Sequence, residues 1–154
     1  MFMLHPSLQA DTVCIGSFSL SLVLLHKDAN YPWCILVPKR ENMREIHHLS
    51  AAEQAQLIRE SSHLSEVMTS LFAPTTMNIA ALGNIVPQLH IHHVARFESD
   101  AAWPKSIWGV TEPAVYGEAD LAERIERLQA ALVGEGFVGE CETSVERPSG
   151  NYTP

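Results

Sequence analysis

Basic residues are scarce in this chain. Ten lysines and arginines stand against 18 aspartates and glutamates, which gives a formal net charge of −8 at pH 7. Because proteins bind nucleic acids mainly through lysines and arginines that contact phosphates, this composition argues against a nucleic-acid partner. A small phosphorylated ligand is still compatible with it, since such a ligand needs only a few well-placed hydrogen-bond donors.

Cysteines and long apolar runs are also few. The three cysteines, Cys14, Cys34 and Cys141, are far apart and form no CxxC pair, which predicts neither a disulfide framework nor a structural zinc site. No stretch approaches the roughly 20 apolar residues that a membrane helix needs. The start, MFMLHPSLQADT, lacks the basic region and long apolar run of a signal peptide. We therefore expect a soluble, cytoplasmic protein with no membrane partner.

Five segments are rich in β-branched and aliphatic residues, which predicts strands over 12–18, 20–26, 33–38, 77–82 and 87–97. Gly16 and Ser17 are predicted as the turn between the first two strands. Gly83 and Asn84 are predicted as a tight reversal between the last two.

Two segments have the spacing of amphipathic helices. Ser50 followed by Glu53 forms a capping-box pattern, and apolar residues continue along one stripe to position 71. A second helix is predicted from Asp120, with Glu123 completing another capping box, to a stop at Gly134.

The order of these elements predicts an α+β fold, with an antiparallel sheet of about five strands, one long helix packed on it and a C-terminal helix. We expect a single domain over 1–154. Its core would span roughly 10–100, a helical extension roughly 118–135, and the tail ERPSGNYTP would be frayed.

Three histidines occupy four positions in PQLHIHHVARF, inside a predicted strand. Because side chains alternate along a strand, His90 and His92 share one face, Gln88 precedes them on that face, and His93 points the other way. Imidazoles bury less favourably than valines, so their presence calls for an explanation.

Three interpretations of His90 and His92 are open from spacing alone. They can be core residues satisfied by hydrogen bonds. They can bind a metal, since His-x-His suits zinc, copper, nickel or iron, although no HExxH or carboxylate pattern supports a full ligand set. Or one neutral imidazole can attack phosphorus while the second assists.

The segment QLHIHHV resembles the motif of the histidine triad (HIT) family, His-φ-His-φ-His-φ-φ with φ apolar, with Gln88 in place of the first histidine. The preceding MNIAALGNIVPQLHIH is similar to the family's strand, glycine-containing turn and triad strand. WCILVPKR resembles the strand that precedes the family's long helix. The resemblance covers roughly residues 10–100.

The resemblance implies roles for particular residues. His90 would be the nucleophile, and His92 would contact the phosphate or its leaving group. The peptide carbonyl of Gln88 would accept a hydrogen bond from the proton-bearing ring nitrogen of His90, a role that needs no imidazole.

Further residues are implied around the phosphate and the nucleoside. Asn78 and Asn84, the latter next to Gly83 in a phosphate-facing loop, would bind the phosphate or hold the loop. Trp33 stands where several family members carry another histidine, which leaves the leaving-group proton donor unassigned. Apart from the resemblance, Asp28 and Trp33 lie in the segment just before a predicted strand, where they would line a nucleoside pocket, unless this segment is simply a tight connection with buried rings.

HIT proteins are nucleotide hydrolases and transferases, commonly homodimers. The resemblance therefore implies a homodimeric hydrolase that acts on the α-phosphate of a dinucleoside polyphosphate, such as diadenosine tetraphosphate, or of a nucleotide phosphoramidate, through a nucleotidyl-histidine intermediate. No cofactor or protein-bound metal is required, although Mg²⁺ can accompany a polyphosphate. The alternatives are a HIT-like nucleotide-binding protein with little or no turnover and a metalloprotein that uses His90 and His92.

Overall fold

The computed structural model describes residues 1–141, so the predicted frayed tail lies outside the described residues. The elements in chain order are helix α1 (Pro6–Asp11), strands β1 (Thr12–Ser17), β2 (Ser21–His26) and β3 (Trp33–Pro38), a 3₁₀ turn (Ile46–His48), helix α2 (Ala51–Phe72), strands β4 (Thr76–Ala81) and β5 (Ile91–Arg96), and helix α3 (Glu118–Ala131). Within residues 1–141, no helix has the length and apolar character needed to cross a membrane.

The five strands form one antiparallel sheet in the order β1-β2-β3-β5-β4, which confirms the predicted α+β class. The crossover from β3 to β4 runs through α2, and β5 then inserts between β3 and β4. In the central pair, Trp33 lies opposite Val94, and Ile35 lies opposite His92. This register sets the aromatic and imidazole side chains of the two strands side by side.

Both faces of the sheet are covered. One apolar cluster joins the sheet to Leu57 and Leu64 of α2 and Leu128 of α3. The other joins it to Leu8 of α1 and to Ile107 in the irregular segment after β5. All six residues of β3 and of β5 are consequently buried.

Helix α2 begins with the predicted capping box. The Ser50 hydroxyl accepts the N–H of Glu53 at 3.2 Å, and the Glu53 carboxylate accepts the N–H of Ser50 at 3.0 Å. The capping box predicted for the second helix is wrong, because α3 begins two residues earlier, after Gly117, and has no side-chain cap. Asp120 therefore already lies within its first turn.

The predicted turn at Gly16 and Ser17 is also wrong, since both residues belong to β1, whose register shifts between Cys14 and Gly16. A Cβ atom on Gly16 would lie 2.5 Å from the carbonyl oxygen of Val138. The glycine therefore permits the segment after α3 to approach β1 closely. From the sequence alone, the same glycine was interpreted as a turn residue.

Strand β5 starts at Ile91 rather than at 87, and residues 82–90 form a loop instead of a tight reversal. Pro87 cannot donate to a ladder, and the N–H of Leu89 donates to the Met43 carbonyl, away from the sheet. His90 consequently lies at the end of this loop, just before the strand.

Cys14 and Cys141 form a disulfide, which the sequence analysis did not indicate. The two residues are 127 positions apart, but Val138 pairs with Ser17 of β1 and thereby brings the end of the described chain to Cys14. Cys34 is free and buried in β3, and its burial raises the pKa of the thiol to about 12.

Reduction of this disulfide is expected to lower the free energy of unfolding by about 2–4 kcal/mol, because the unfolded chain then regains the freedom of a long closed loop. Urea unfolding of the oxidised protein with and without a thiol reductant measures the difference. Cys141→Ser should be as unstable as the reduced protein and insensitive to reductant. Identical unfolding curves for the parent protein under both conditions would rule out the pairing.

Candidate active site

A cavity of about 520 Å³ opens on the face of the sheet that carries α1. Four of the eight residues predicted for the site line it: Trp33, Asn84, His90 and His92. Its remaining walls are mainly apolar and come from α1, from β3, from the loop 82–90 and from Trp108. A concave, largely apolar cleft with a few convergent polar groups is the usual form of a small-molecule site.

His90 lines the cavity and is 5% exposed. Its Nδ1 atom is 2.7 Å from the carbonyl oxygen of Gln88. Because a carbonyl oxygen can only accept, Nδ1 carries the proton and the lone pair is on Nε2. Burial lowers the pKa of His90, the hydrogen bond to Gln88 raises it, and the charge of His5 lowers it, with a net downward shift. A neutral imidazole with an available Nε2 lone pair can act as a nucleophile.

His92 has the opposite tautomer. The indole N–H of Trp33 donates to Nδ1 of His92 over 3.0 Å. Nδ1 is therefore the acceptor, and the proton of the neutral ring is on Nε2. Burial, with smaller contributions from the charges of His90, His26 and His93, lowers the pKa of His92 to about 3.

The two rings lie close together, with centroids 4.9 Å apart and planes at 77°. Their fixed neighbours give them complementary functions: His90 offers a lone pair, and His92 offers an N–H. A phosphoryl group in the cavity would meet a nucleophile and a neutral hydrogen-bond donor together. Since His92 is uncharged at neutral pH, it can donate a hydrogen bond but is a weak proton donor.

Four polar or aromatic residues of the cavity were missed from the sequence: Ser7, Asp11, His26 and Trp108. His26 stacks on the Trp33 indole, with centroids 3.7 Å apart and planes at 5°, and the edge of Trp108 meets His92. Burial lowers the pKa of His26, although the charges of Asp11 and Asp28 oppose that shift. No local pattern marks these residues, because they come from the short α1, the end of β2 and an irregular segment.

The Trp33 indole is thus used for contacts within the protein and is not available to stack on a nucleobase. His26 covers one face of the indole, its N–H is used by His92, and only 7% of the residue is exposed. Its contribution to the cavity is to fix the ring of His92.

Asp28, expected in the nucleoside pocket, is buried and does not line this cavity. Its carboxylate oxygen Oδ1 accepts the N–H groups of Asn30 and Ala114 at 2.9 and 3.0 Å. The side chain fixes the connection between β2 and β3 to the segment before α3. Asp28 therefore stabilises a tight connection, which is the alternative that the sequence analysis left open.

Asn78, expected near the phosphate, accepts instead from the guanidinium of Arg96 at 2.7 Å. Arg96 is 2% exposed and pairs with Asp100 through two hydrogen bonds of 2.8 and 3.1 Å. Burial alone would raise the pKa of Asp100, but donors from Arg96, Phe97 and Ala102 lower it to about 2. This buried ion pair anchors the segment that carries Trp108.

Gly83 and Gln88 lie beside the cavity rather than in its lining. Gly83 is in the exposed loop 82–90, with open space around its Cα. The Gln88 side chain points to the N-terminal segment, where it bonds to Met3 and His5, while its backbone carbonyl holds His90. The two halves of Gln88 therefore serve different partners.

His93 occupies the opposite face, as its position in the alternation predicts, and is fully buried. Its Nδ1 lies 3.0 Å from the Ile91 carbonyl oxygen and its Nε2 lies 2.7 Å from the Ser61 hydroxyl of α2. Burial lowers its pKa to about 4. Among residues 1–141, no group of three or more His, Cys, Asp or Glu side chains is placed to hold a metal ion.

Trp33→Phe is expected to raise the pKa of His92, because the neutral ring loses the N–H that its Nδ1 accepts. NMR titration of the imidazole nitrogens measures this directly. In the parent protein, His92 should stay neutral from pH 8 down to pH 5, since its pKa is about 3. Trp108→Phe is the matched control, because it makes the same change at an indole that meets the His92 ring but does not donate to its Nδ1. Equal His92 titration in all three proteins would contradict the assignment.

Comparison with known proteins identifies the family and supports the fold. The sequence model of the HIT domain matches residues 7–99. Among curated proteins, no match to the chain was found. Three solved structures share the fold over nearly their whole length.

A histidine triad protein from Bradyrhizobium japonicum is 44% identical, with 85% of this chain and 98% of that one covered and a TM-score of 0.84. One from Marinobacter aquaeolei VT8 is 48% identical, with 86% and 96% covered and a TM-score of 0.83. One from Sinorhizobium meliloti 1021 is 34% identical, with 85% and 97% covered and a TM-score of 0.83. The chain that sets these paired imidazoles over its central strands belongs to the histidine triad family.

Proposed function

We propose that this protein is a nucleotide hydrolase that attacks the α-phosphate of its substrate through His90. The observation that carries the proposal is the opposite protonation of two adjacent imidazoles. His90 is protonated on Nδ1 and presents its Nε2 lone pair, while His92 accepts on Nδ1 and presents an N–H. Two core histidines with a purely structural role would not need complementary tautomers facing one cavity.

In the first step, Nε2 of His90 forms a bond to phosphorus, and the bond from phosphorus to the leaving group breaks with its electron pair on the departing atom. The ring becomes cationic, and the Gln88 carbonyl stabilises that charge through the hydrogen bond from Nδ1. The N–H of His92 supports the phosphoryl oxygens. Water then attacks phosphorus, the N–P bond breaks, His90 regains its lone pair and one proton is released.

This arrangement favours a phosphoanhydride over a phosphoramidate. A phosphate leaving group departs as a stable anion, whereas an amine must be protonated as it leaves. Because its pKa is about 3, His92 does not carry a second proton at neutral pH and has none to give to a leaving amine, and Trp33 has no acidic proton to give either. We therefore propose a dinucleoside polyphosphate such as diadenosine tetraphosphate as the preferred substrate.

The role of position 88 does not require an imidazole. We propose that Gln88 stands in place of the family's first triad histidine, and that its backbone carbonyl supplies the contact that orients the nucleophile. Asn84, at the cavity wall, is proposed to donate to the phosphate from the loop 82–90.

The second candidate is a nucleotide-binding protein with little turnover. The weak proton donor at His92 favours it, as does the largely apolar wall of the cavity. This candidate predicts that nucleotide binds but that no covalent nucleotidyl-histidine forms.

The assembly and environment are proposals of the same kind. Strand β4 lies at the edge of the sheet, and its Ile79 is 52% exposed, which is consistent with a homodimer that covers this edge. We propose no obligatory cofactor, with Mg²⁺ bound only through a polyphosphate substrate. We also propose a cytoplasmic location.

The mechanism is tested by reacting the protein with diadenosine tetraphosphate, quenching the reaction rapidly without acid, and measuring the mass of the intact protein. The parent protein should gain the mass of one nucleotidyl group, and His90→Asn should gain none. His90→Asn should also lower the hydrolysis rate by at least about 10³-fold, because the nucleophile is removed. His47→Asn, at an exposed histidine in the 3₁₀ turn, is the matched control and should behave as the parent.

Nucleotide binding without an adduct and without product would instead favour the binding protein. Undiminished hydrolysis by His90→Asn would overturn the assignment of the nucleophile.

A further inference from the structure

The Gln88 side chain makes a two-point contact with the N-terminal segment (residues 3–11). Its Oε1 accepts the N–H of His5 at 2.9 Å, and its Nε2 donates to the carbonyl oxygen of Met3 at 2.9 Å. An amide that both accepts from and donates to one stretch of backbone fixes that stretch in position and direction. The backbone carbonyl of Gln88 also bonds to Nδ1 of His90. Gln88 therefore connects the N-terminal segment, through its side chain, to His90, through its backbone.

Beyond that contact, the N-terminal segment runs along the wall of the cavity. Leu4 and Leu8 are buried in the apolar cluster on this face of the sheet, at 7% and 5% exposure. Ser7 and Asp11 line the cavity. Helix α1 has only six residues, so it depends on tertiary contacts rather than on its own stability.

Asp11 lines the cavity near His26 of β2, since the charge of Asp11 acts to raise the pKa of that ring. It directly precedes Thr12, which pairs with His26 of β2, and two strand spacings, roughly 10 Å, separate β2 from β5. A carboxylate there would repel phosphates, but it can accept hydrogen bonds from two neighbouring hydroxyls. The ribose of a nucleotide whose α-phosphate contacts His90 would extend in this direction across the cavity.

We propose that Gln88 is a positioning residue that fastens the N-terminal segment against the active site, and that the segment in turn presents Asp11 to the vicinal hydroxyls of a nucleotide ribose. The ribose-recognition half of this proposal rests on the proposed function. The fastening half stands on the contacts of Gln88 alone.

Gln88→Met tests the fastening, because methionine keeps the size of glutamine and removes both hydrogen bonds. Hydrogen–deuterium exchange of the ligand-free protein should become faster in the N-terminal segment and stay unchanged in α2 and β5. Gln54→Met is the matched control: Gln54 also donates its side-chain amide to a backbone carbonyl, that of Leu49, at the start of α2. It should leave the exchange of residues 3–11 as in the parent.

Calorimetric titration with AMP and with 2′,3′-dideoxy-AMP tests the recognition. The parent should bind AMP about tenfold or more tightly than the dideoxy nucleotide, because hydroxyls that bond to a carboxylate contribute strongly. In Asp11→Ala, the ratio of the affinities for AMP and for 2′,3′-dideoxy-AMP should fall close to one. Hydrogen–deuterium exchange in residues 3–8 should stay as in the parent. Gln88→Met should lower the ratio as well, whereas a merely structural role would weaken both ligands equally.

The outcomes separate the two proposals. Unchanged exchange in Gln88→Met would overturn the fastening, and an unchanged ratio in Asp11→Ala would overturn the recognition. A parent protein that binds neither nucleotide would overturn the proposed function and the role of Asp11 together. In that event, faster exchange in Gln88→Met would still support the fastening.

Discussion

Three imidazoles, one just before β5 and two within it, must be accommodated without charge, and much of the surrounding structure follows from that constraint. Both faces of the sheet are covered, so a charged ring in β5 would lose most of its hydration. Each ring instead has a fixed neutral partner: the Gln88 carbonyl for His90, the Trp33 indole for His92, and a backbone carbonyl with the Ser61 hydroxyl for His93. The register of β3 against β5 makes the second of these contacts possible.

Neutrality also determines what the rings can do. A histidine that is kept uncharged has one lone pair and one N–H, and the partner decides which nitrogen carries which. The carbonyl beside His90 and the indole N–H beside His92 impose opposite choices, which places the lone pair of one ring next to the N–H of the other. If Trp33 were a carbonyl or carboxylate instead, His92 would be protonated on Nδ1 and would lose its N–H toward the cavity. Trp33 therefore acts on the chemistry through the tautomer of its neighbour.

The sequence predicted the parts of the fold that depend on local pattern, and the structure departs from it where tertiary contacts decide. The Ser50–Glu53 capping box and the alternation of His90, His92 and His93 are local, and both were predicted. Helix α1 was missed because its six residues are held by burial of Leu8 and by Gln88, neither of which leaves a periodic signal. Likewise, no spacing rule connects Cys14 to a cysteine 127 residues later, because the contact arises from the chain's return along β1.

The same distinction explains the site residues. A backbone contact does not depend on the side chain, so the carbonyl of Gln88 bonds to His90 while its side-chain amide bonds to the N-terminal segment. Roles of side chains in loops depend on which loop reaches the cavity. Asp28 has the right chemistry, but its carboxylate is used to fix the segment before α3, and the cavity takes its carboxylate from Asp11 instead. A sequence shows that an acid is present near β2, but only the packing of α1 decides which acid lines the cavity.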